Sequence, residues 1–386
     1  MAMPNKRLLD STGYLLFGLL GWSALLIPSL VRSVEHDFGQ PDSAVSLLYF
    51  LSSGVFAVAA VSGGVIAERL GRRGVLMVGV CIVGVGGALA AAAPEWWLFV
   101  LGGTLSTGGV GLIEPQVTGL FLDLYPDARA SSQNVLNAFF SIGSLVAPAL
   151  VGLLVSTGFP WRLLLLATGL SFLATLPALI LVQMPSGRRA EASNEHGVSG
   201  AEQSLLPFTY LAITIGFYVG AEIGISNWLV RFLAGVPLIQ ATVVLSAFWG
   251  GLTVGRFASN WIAERLEYST FTMGCVGLAS LLLAGAVWSP SFPVAAVLFT
   301  LAGACYGPVF PMIMAIGGTI YPHRIAALSG GLTVAASAGA IIYPPLMGVL
   351  AGRIGLEGGM FGAALLGVPM VVALSAARRT APPLSP

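Results

Sequence analysis

Long apolar segments recur along the whole chain, and their length is the feature that most restricts how it can fold. A helix that crosses a bilayer needs roughly 20 consecutive apolar residues. Hydrophobic residues make up 56% of the sequence and charged residues 9%, whereas soluble domains carry about 25% charged residues. We therefore expect an all-α membrane protein. Twelve transmembrane helices are predicted, at residues 11–32, 43–67, 74–93, 96–122, 132–156, 161–183, 207–231, 239–263, 270–288, 293–318, 326–350 and 356–377.

A compact basic loop after the second segment indicates that the chain consists of two related halves. Residues 64–73 read Gly-Val-Ile-Ala-Glu-Arg-Leu-Gly-Arg-Arg, and the five residues 66–70 recur as 262–266. The offset is 196 residues (262 − 66), and it also relates Gly111/Gly307, Pro115/Pro311, Tyr125/Tyr321, Gly143/Gly339, Pro148/Pro344 and Gly152/Gly348. One constant offset predicts a parallel repeat. The expected domains are an N-terminal six-helix half (1–184), a cytoplasmic linker (185–204) and a C-terminal six-helix half (205–386).

Basic residues are distributed unequally between the two sides of the predicted bundle. Of the 17 lysines and arginines, twelve lie on the side that holds the termini, the 64–73 loop and the linker. Four lie on the other side, and Arg256 lies within a span. Positively charged loops stay in the cytoplasm. We expect a multi-pass protein of the inner (plasma) membrane with both termini in the cytoplasm.

Two glutamates lie deep within the predicted spans, where charge is costly and usually functional. Glu222 is near the middle of the seventh span, and Tyr218 and Ser226 share its helical face at i−4 and i+4. No basic residue shares that face, so Glu222 is expected to be neutral when dry and ionised when water reaches it, as proton coupling requires. The alternative is a protonated glutamate that only packs helices together. Glu114, which precedes Pro115, is the second candidate for proton coupling, or else it stabilises the bend at that proline.

Several polar and aromatic residues are candidates for contacting a substrate. Asn134 and Asn137 lie one turn apart at the start of the fifth span, where the alternative is simply a helix start near water. The aromatic candidates offer stacking surfaces, although tryptophan and tyrosine also serve as packing or interfacial anchors. The remaining candidates are Tyr218, Ser226, Asn227, Trp228, Trp22, Trp249 and Tyr306.

The repeated basic loop predicts a gate on the cytoplasmic side. Glu68 ends a helix and can pair with a neighbouring helix N-terminus or with an arginine when that side is shut. The alternative is a basic turn that is only solvated. Arg256 is expected to pair with an acidic group at the cytoplasmic ends rather than to contact substrate. The predicted gate residues are Gly64, Glu68, Arg69, Gly71, Arg72, Arg73, Arg256, Glu264 and Arg265.

Other classes of function find little support in the sequence. A net charge of +1 does not indicate the basic surface that nucleic-acid binding requires. Cys81, Cys275 and Cys305 fall inside apolar segments, as buried packing residues do, and the three histidines have no metal-ligand spacing. No combination of nucleophile, base and phosphate loop points to an enzyme. We expect a monomer in the lipid bilayer that needs no cofactor or metal.

The 64–73 segment resembles the signature loop of the major facilitator superfamily, Gly-x-Leu-Ala-Asp-Arg-x-Gly-Arg-Arg/Lys, with Glu68 in place of the usual aspartate. A narrower resemblance links residues 218–222, 228–231, 255–257 and 306–311 to the fucose permease branch. That branch takes up fucose, glucose and galactose with protons. The resemblance implies two six-helix halves and transport by alternating access.

The chain departs from that branch at its acidic coupling positions. Ala24 precedes the Leu-Leu-Ile-Pro of the first span where fucose permease has an aspartate, and Val110 holds the site of a second acid. The proton site would therefore be Glu222 or Glu114. We expect a secondary transporter that moves a small polar solute, a sugar or a sugar-like molecule, together with protons. The alternatives are efflux of a drug-like or amphipathic metabolite, and a membrane sensor on the same fold that transports nothing.

Overall fold

The computed structural model describes residues 6–126, 128–182, 184, 205–262, 267–321 and 324–380, and every regular element in these ranges is an α-helix. The predicted linker and the 263–266 copy of the repeated loop lie outside the described residues. The helices are α1 (Lys6–Phe38), α2 (Asp42–Ala92), α3 (Trp96–Leu124), α4 (Arg129–Ser156), α5 (Trp161–Leu173), α6 (Leu176–Leu181), α7 (Leu206–Phe232), α8 (Leu238–Ile262), α9 (Tyr268–Trp288), α10 (Phe292–Tyr306), α11 (Val309–Ile320), α12 (Ile325–Leu365) and α13 (Gly367–Thr380).

Within the described ranges, ten helical stretches are long and apolar enough to cross a membrane. This confirms the prediction of an all-helical, multi-pass membrane protein. The number is lower than twelve because two stretches are much longer than one bilayer crossing: Asp42–Ala92 has 51 residues and Leu328–Thr380 has 53. Each holds two of the predicted spans.

Both of these long stretches are interrupted at a glycine. Gly71 has φ 70° and ψ 158° inside α2, and Gly355 has φ 72° and ψ 161° inside α12. A residue with a side chain rarely adopts positive φ, whereas glycine does so at no steric cost. The chain therefore changes direction within one residue, and no separate loop is needed.

The chain forms two compact units. The first comprises Met1–Gln40 and Leu47–Ser199, and the second comprises Pro41–Ser46 and Gly200–Pro386. The short segment Pro41–Ser46, which includes the start of α2, thus belongs to the unit that contains α7 to α13.

In the first unit, glycines let helices cross with their backbones in direct contact. A Cβ atom at Gly143 of α4 would overlap the carbonyl oxygen of Gly18 in α1. A Cβ atom at Gly111 of α3 would lie 2.6 Å from the carbonyl oxygen of Phe56 in α2. Small residues at crossings are the usual means by which membrane helices gain van der Waals contact, because lipid provides no hydrophobic drive between them.

The second unit contains the corresponding crossings. A Cβ atom at Gly339 of α12 would overlap the Gly216 carbonyl oxygen in α7, and one at Gly307, next to α10, would overlap the Leu252 carbonyl oxygen in α8. Gly307 and Leu252 each lie 196 positions after Gly111 and Phe56, the residues that meet in the first unit.

The turns after α3 and α11 also have matching geometry. Tyr125 has φ −125° and ψ 60°, and Tyr321 has φ −123° and ψ 57°. Each carbonyl then accepts a hydrogen bond from the amide three residues on, Ala128 at 3.1 Å and Arg324 at 3.0 Å. Tyr321 lies 196 positions after Tyr125, and Arg324 lies 196 positions after Ala128. The two helices therefore end with the same backbone angles and the same hydrogen bond at corresponding positions.

The close crossing at Gly339 leads to a stability prediction. Gly339→Ala should destabilise the protein by about 1–3 kcal/mol, the usual cost of overpacking, because the methyl group meets backbone that cannot rotate away. Gly330→Ala in the same helix is the matched control, since nothing lies within 4 Å of a Cβ there. Thermal unfolding of the two purified variants should give a lower midpoint for Gly339→Ala only. Equal midpoints would contradict the crossing.

Candidate functional site

The directions of α7 and α8 bring two charged side chains of the second unit toward each other. At ~1.5 Å per residue, Glu222 lies about 15 Å before the end of α7, and Arg256 lies about 27 Å beyond the start of α8. Side chains lean toward the N-terminus of their own helix. The two Cα atoms thus lie at different distances from the α7–α8 connection. Because the chain reverses direction between α7 and α8, the two side chains point toward each other along the helix axes and bridge this offset.

Glu222 and Arg256 form an ion pair. The distance from Glu222 Oε1 to Arg256 Nη2 is 3.7 Å, and the side chains are 7% and 34% exposed, respectively. Two expectations from the sequence are therefore wrong: Glu222 has a basic partner, and Arg256 pairs with this deep carboxylate rather than with an acidic group at the cytoplasmic ends. The physical reason is that the partner comes from the neighbouring helix and reaches across on a long side chain.

Two tyrosines complete the buried cluster around this pair. Tyr218 of α7 and Tyr306 of α10 are both 0% exposed, and their rings meet edge to face with centroids 5.5 Å apart. The Tyr218 hydroxyl lies beside both Glu222 and Arg256 and interacts with them, and among the described residues the Tyr306 hydroxyl has no hydrogen-bond partner. A buried polar group without a partner carries a cost of about 1–3 kcal/mol, so the Tyr306 hydroxyl is positioned to receive one.

Ser226 and Trp249 connect α7 to α8 one turn from Glu222. The Trp249 indole nitrogen donates to the Ser226 hydroxyl at 3.1 Å, and that hydroxyl donates to the Glu222 carbonyl at 2.7 Å. This chain of bonds holds the Glu222 backbone against α8. Five of the residues predicted from the sequence as site or gate residues thus come together with Glu222: Tyr218, Ser226, Trp249, Arg256 and Tyr306.

Two other candidates of the second unit, Asn227 and Trp228, are also buried on α7. Trp228 is fully buried, and its indole nitrogen donates to the Pro344 carbonyl of α12 at 2.7 Å. A Cβ atom at Gly348 would overlap the Trp228 ring, so that glycine provides the space for it. Asn227 is also buried, at 8% exposure. Trp228 therefore anchors α7 to α12, and a contact of Trp228 or Asn227 with substrate stays a prediction.

The candidates of the first unit do not form a comparable cluster. The Trp22 indole donates to the Thr168 hydroxyl at 2.8 Å and so links α1 to α5. Asn134 and Asn137 are exposed on α4, and the Asn137 amide donates to the Gln133 carbonyl of its own helix at 2.9 Å. Glu114 is half-buried on α3. A substrate contact from these residues stays a prediction.

The 64–73 segment makes defined contacts within the first unit. Arg72 pairs with Asp123 at the end of α3, with Nη2 and Oδ2 2.9 Å apart, and Arg73 donates to the Ile180 carbonyl. Gly64, Glu68 and Arg69 are exposed. The second copy of this sequence, with Glu264 and Arg265, lies outside the described residues.

Sequence reasoning missed Asp123 and Thr168 as partners of predicted residues. Asp123 is an acidic residue at the end of a predicted span, on the side of the membrane predicted for the arginine-rich loop, and that placement was an available signal. Thr168 carries no such signal, because a threonine in a span normally bonds to its own helix. In the part of the chain that the structure describes, no three His, Cys, Asp or Glu side chains are grouped as metal ligands.

Comparison with known proteins identifies the family. The family model described as Major Facilitator Superfamily matches residues 12–292. The gentisate transporter of Corynebacterium glutamicum is 26% identical over 381 residues, with 90% of this chain and 84% of the relative covered. The glucose/galactose transporter of Brucella abortus is 27% identical over 366 residues, with 83% and 87% covered.

Solved structures share the fold at lower identity. A bacterial homologue of the human lysosomal transporter Spinster, in an inward-facing and unoccupied conformation, has a TM-score of 0.81 at 16% identity, covering 99% of this chain and 98% of the other. The fucose:proton symporter FucP of E. coli has a TM-score of 0.63 at 19% identity, covering 97% and 98%. The matched family model spans well over half of the sequence, and the relatives are transporters. The chain is therefore a membrane transporter, not an enzyme, and it belongs to the Major Facilitator Superfamily.

Proposed function

We propose that this protein is a secondary transporter that binds a small polar solute, a sugar or sugar-like molecule, and moves it together with protons by alternating access. The observation that carries the proposal is the Glu222–Arg256 pair together with the buried side chains of Tyr218 and Tyr306 inside a membrane-spanning unit. Buried ionisable groups at this depth are expensive and are normally kept for a substrate or proton pathway. The relative from Brucella abortus is named a glucose/galactose transporter, which supports a polyhydroxylated solute.

The architecture we propose is twelve membrane crossings in two six-helix halves, with both termini in the cytoplasm of the cell and the inner membrane as location. Support comes from the matched glycine crossings and the matched Tyr125 and Tyr321 turns. At 1.5 Å per residue, the 51 residues of α2 would extend about 76 Å, more than twice a hydrocarbon core of about 30 Å. The break at Gly71 therefore separates two crossings in this proposal. We propose that the transporter works as a monomer.

Solute binding in this proposal rests on the hydroxyls of Tyr218 and Tyr306. Each phenol can donate one hydrogen bond and accept another, and a hydroxylated solute supplies both kinds of partner. In the first unit, Asn134, Asn137, Trp22 and Glu114 stay candidates for a contact with solute. Asn227 completes the set of polar candidates on α7.

Proton coupling in this proposal is the change of Glu222 between two states. The ionised carboxylate is held by Arg256 at 3.7 Å, and the protonated carboxyl releases that arginine. A group that switches partner with its charge can bind a proton on one side of the membrane and release it on the other. Glu114 is the next candidate for this role.

Glu222→Gln tests the coupling, because glutamine resembles the protonated carboxyl. The variant should still bind solute and exchange it across the membrane, while it loses accumulation driven by a pH gradient. The measurement is counterflow beside proton-driven uptake of labelled sugar in proteoliposomes. Glu267→Gln is the matched control, since this glutamate also pairs with an arginine, Arg378 at 2.8 Å, but is 49% exposed.

Four results of this experiment would speak against the assignment. If the Glu222→Gln variant still concentrates solute in response to a pH gradient, Glu222 is not the coupling site and Glu114 takes its place. If the wild type ignores the gradient, the protein is a uniporter or uses another ion. If no sugar, polyol or organic acid is transported at all, the sensor alternative replaces transport; net export of amphipathic compounds would favour efflux.

The gate on the cytoplasmic side is a separate part of the proposal. Glu68 is exposed near Gly71, where α2 breaks, and its carboxylate is available to a partner in one state of the transport cycle. Glu68→Ala should slow transport while solute affinity stays within a few fold, because the gate does not touch the solute. Glu95→Ala, another exposed glutamate of the first unit, is the control and should leave the rate unchanged. A large loss of affinity with a normal rate would place Glu68 in the binding site instead.

A further inference from the structure

The guanidinium of Arg256 belongs to the more exposed of the two charged side chains in the buried cluster. A guanidinium presents five N–H donors, and the separation from Glu222 is 3.7 Å, longer than the roughly 2.7–2.9 Å of a charge-assisted hydrogen bond. One third of the side chain is exposed. Exposure to hydrocarbon would be very costly for a cation, so the exposed part must face water or a ligand.

Protonation of Glu222 changes what Arg256 needs. The arginine remains charged at every accessible pH, so a neutral Glu222 leaves a positive charge inside the membrane span without its counter-ion. A partly buried charge that loses its partner is strongly destabilised. A second anion at the same place would remove that cost, and the planar guanidinium matches a carboxylate in geometry.

The surroundings indicate what else such an anion should carry. Tyr218 and Tyr306 are fully buried, the Tyr218 hydroxyl interacts with both charged groups, and the Tyr306 hydroxyl has no hydrogen-bond partner among the described residues. A hydroxyl or phenol group on the ligand would supply that partner.

From this geometry we propose that the solute is a hydroxylated monocarboxylate, whose carboxylate replaces that of Glu222 on Arg256 when Glu222 is protonated. The proposal rests on the transport function argued above and narrows its substrate class from sugar-like molecules to those that carry one acid group, such as a sugar acid or a hydroxybenzoate. Protonation and solute binding then occur together, because each requires Glu222 to leave the arginine. One anion and one proton move per cycle, without net charge.

The pH response depends on few other groups in the described part of the second unit. Glu222 interacts with Arg256 of α8, with Tyr218 on its own helix and with Tyr306 of α10. Tyr343 of α12 lies beyond Tyr306 and donates its hydroxyl to the Gly359 carbonyl at 2.9 Å. The charged side chains of α12 and α13 in these ranges, Arg353, Glu357, Arg378 and Arg379, are all exposed.

The experiment compares acids with their neutral counterparts. Binding of glucuronate, galacturonate, gluconate and 2,5-dihydroxybenzoate is measured beside glucose, galactose, sorbitol and hydroquinone, by thermal shift and by competition with labelled solute. The range is about pH 5 to pH 8, where these acids remain ionised because ordinary carboxyl pKa values are lower. In the wild type, one or more acids should bind better than their neutral counterparts. Acid affinity should rise as pH falls, by up to about tenfold per pH unit.

Three variants separate this proposal from a structural role of the pair. Arg256→Gln should weaken acid binding by about tenfold or more, the scale of a lost charge-assisted bond, with neutral ligands within about threefold. Glu222→Gln should bind acids tightly at every pH, because the competing carboxylate is gone. Arg378→Gln, which breaks the exposed pair with Glu267, is the control and should behave as the wild type.

The outcomes are distinct. Neutral sugars that bind and are transported as well as the acids, with no effect of Arg256→Gln, would overturn this inference and leave sugar transport standing. No binding or transport of either class would remove the proposed function as well. Should Arg256→Gln fail to fold, the pH profile of Glu222→Gln decides: a profile as steep as that of the wild type overturns the inference, and a flat profile with tight acid binding supports it.

Discussion

The interior of a bilayer offers no water to hydrogen-bond a peptide group or a charge, and this constraint governs every level of the structure. All regular elements of the described chain are helices, because a helix satisfies its backbone within one segment. Two helices gain little free energy by burying apolar surface against each other, because the lipid around them is equally apolar. They therefore meet where glycines allow their backbones to touch, as at Gly143 and Gly339. For the same reason, a charge within a span must find its partner inside the protein.

Two glutamate–arginine pairs of the second unit show how burial changes the energetic importance of the same kind of ion pair. Glu267 and Arg378 are 2.8 Å apart and about half exposed, and such surface pairs contribute between about 0 and 1 kcal/mol. Glu222 and Arg256 are farther apart, at 3.7 Å, but Glu222 is only 7% exposed. Removing one partner of a buried pair leaves a charge that water cannot reach. The shorter pair therefore contributes less to stability, and the longer pair is the one that we propose changes state during transport.

The candidate site could be predicted in part from periodicity. Tyr218, Glu222 and Ser226 are spaced by four residues, and the structure places all three against α8 and α10 through Arg256, Trp249 and Tyr306. Composition likewise indicated which aromatic residues to consider, but it could not separate Trp249, which bonds to Ser226, from Trp228, which bonds to the Pro344 carbonyl. Both are tryptophans in apolar segments, and only the helix that each one faces distinguishes them.

The amino-acid sequence by itself determined the helical class, the membrane location and the family, because these depend on segment length, composition and a local motif. It also determined the turn at Tyr125 and its counterpart at Tyr321, since a turn depends on a few neighbouring residues. Only the tertiary structure decided that Glu222 has Arg256 as its partner and that Arg72 has Asp123. The level and rotation of one helix against the next follow from how side chains pack across the interface. No pattern along a single helix carries that information.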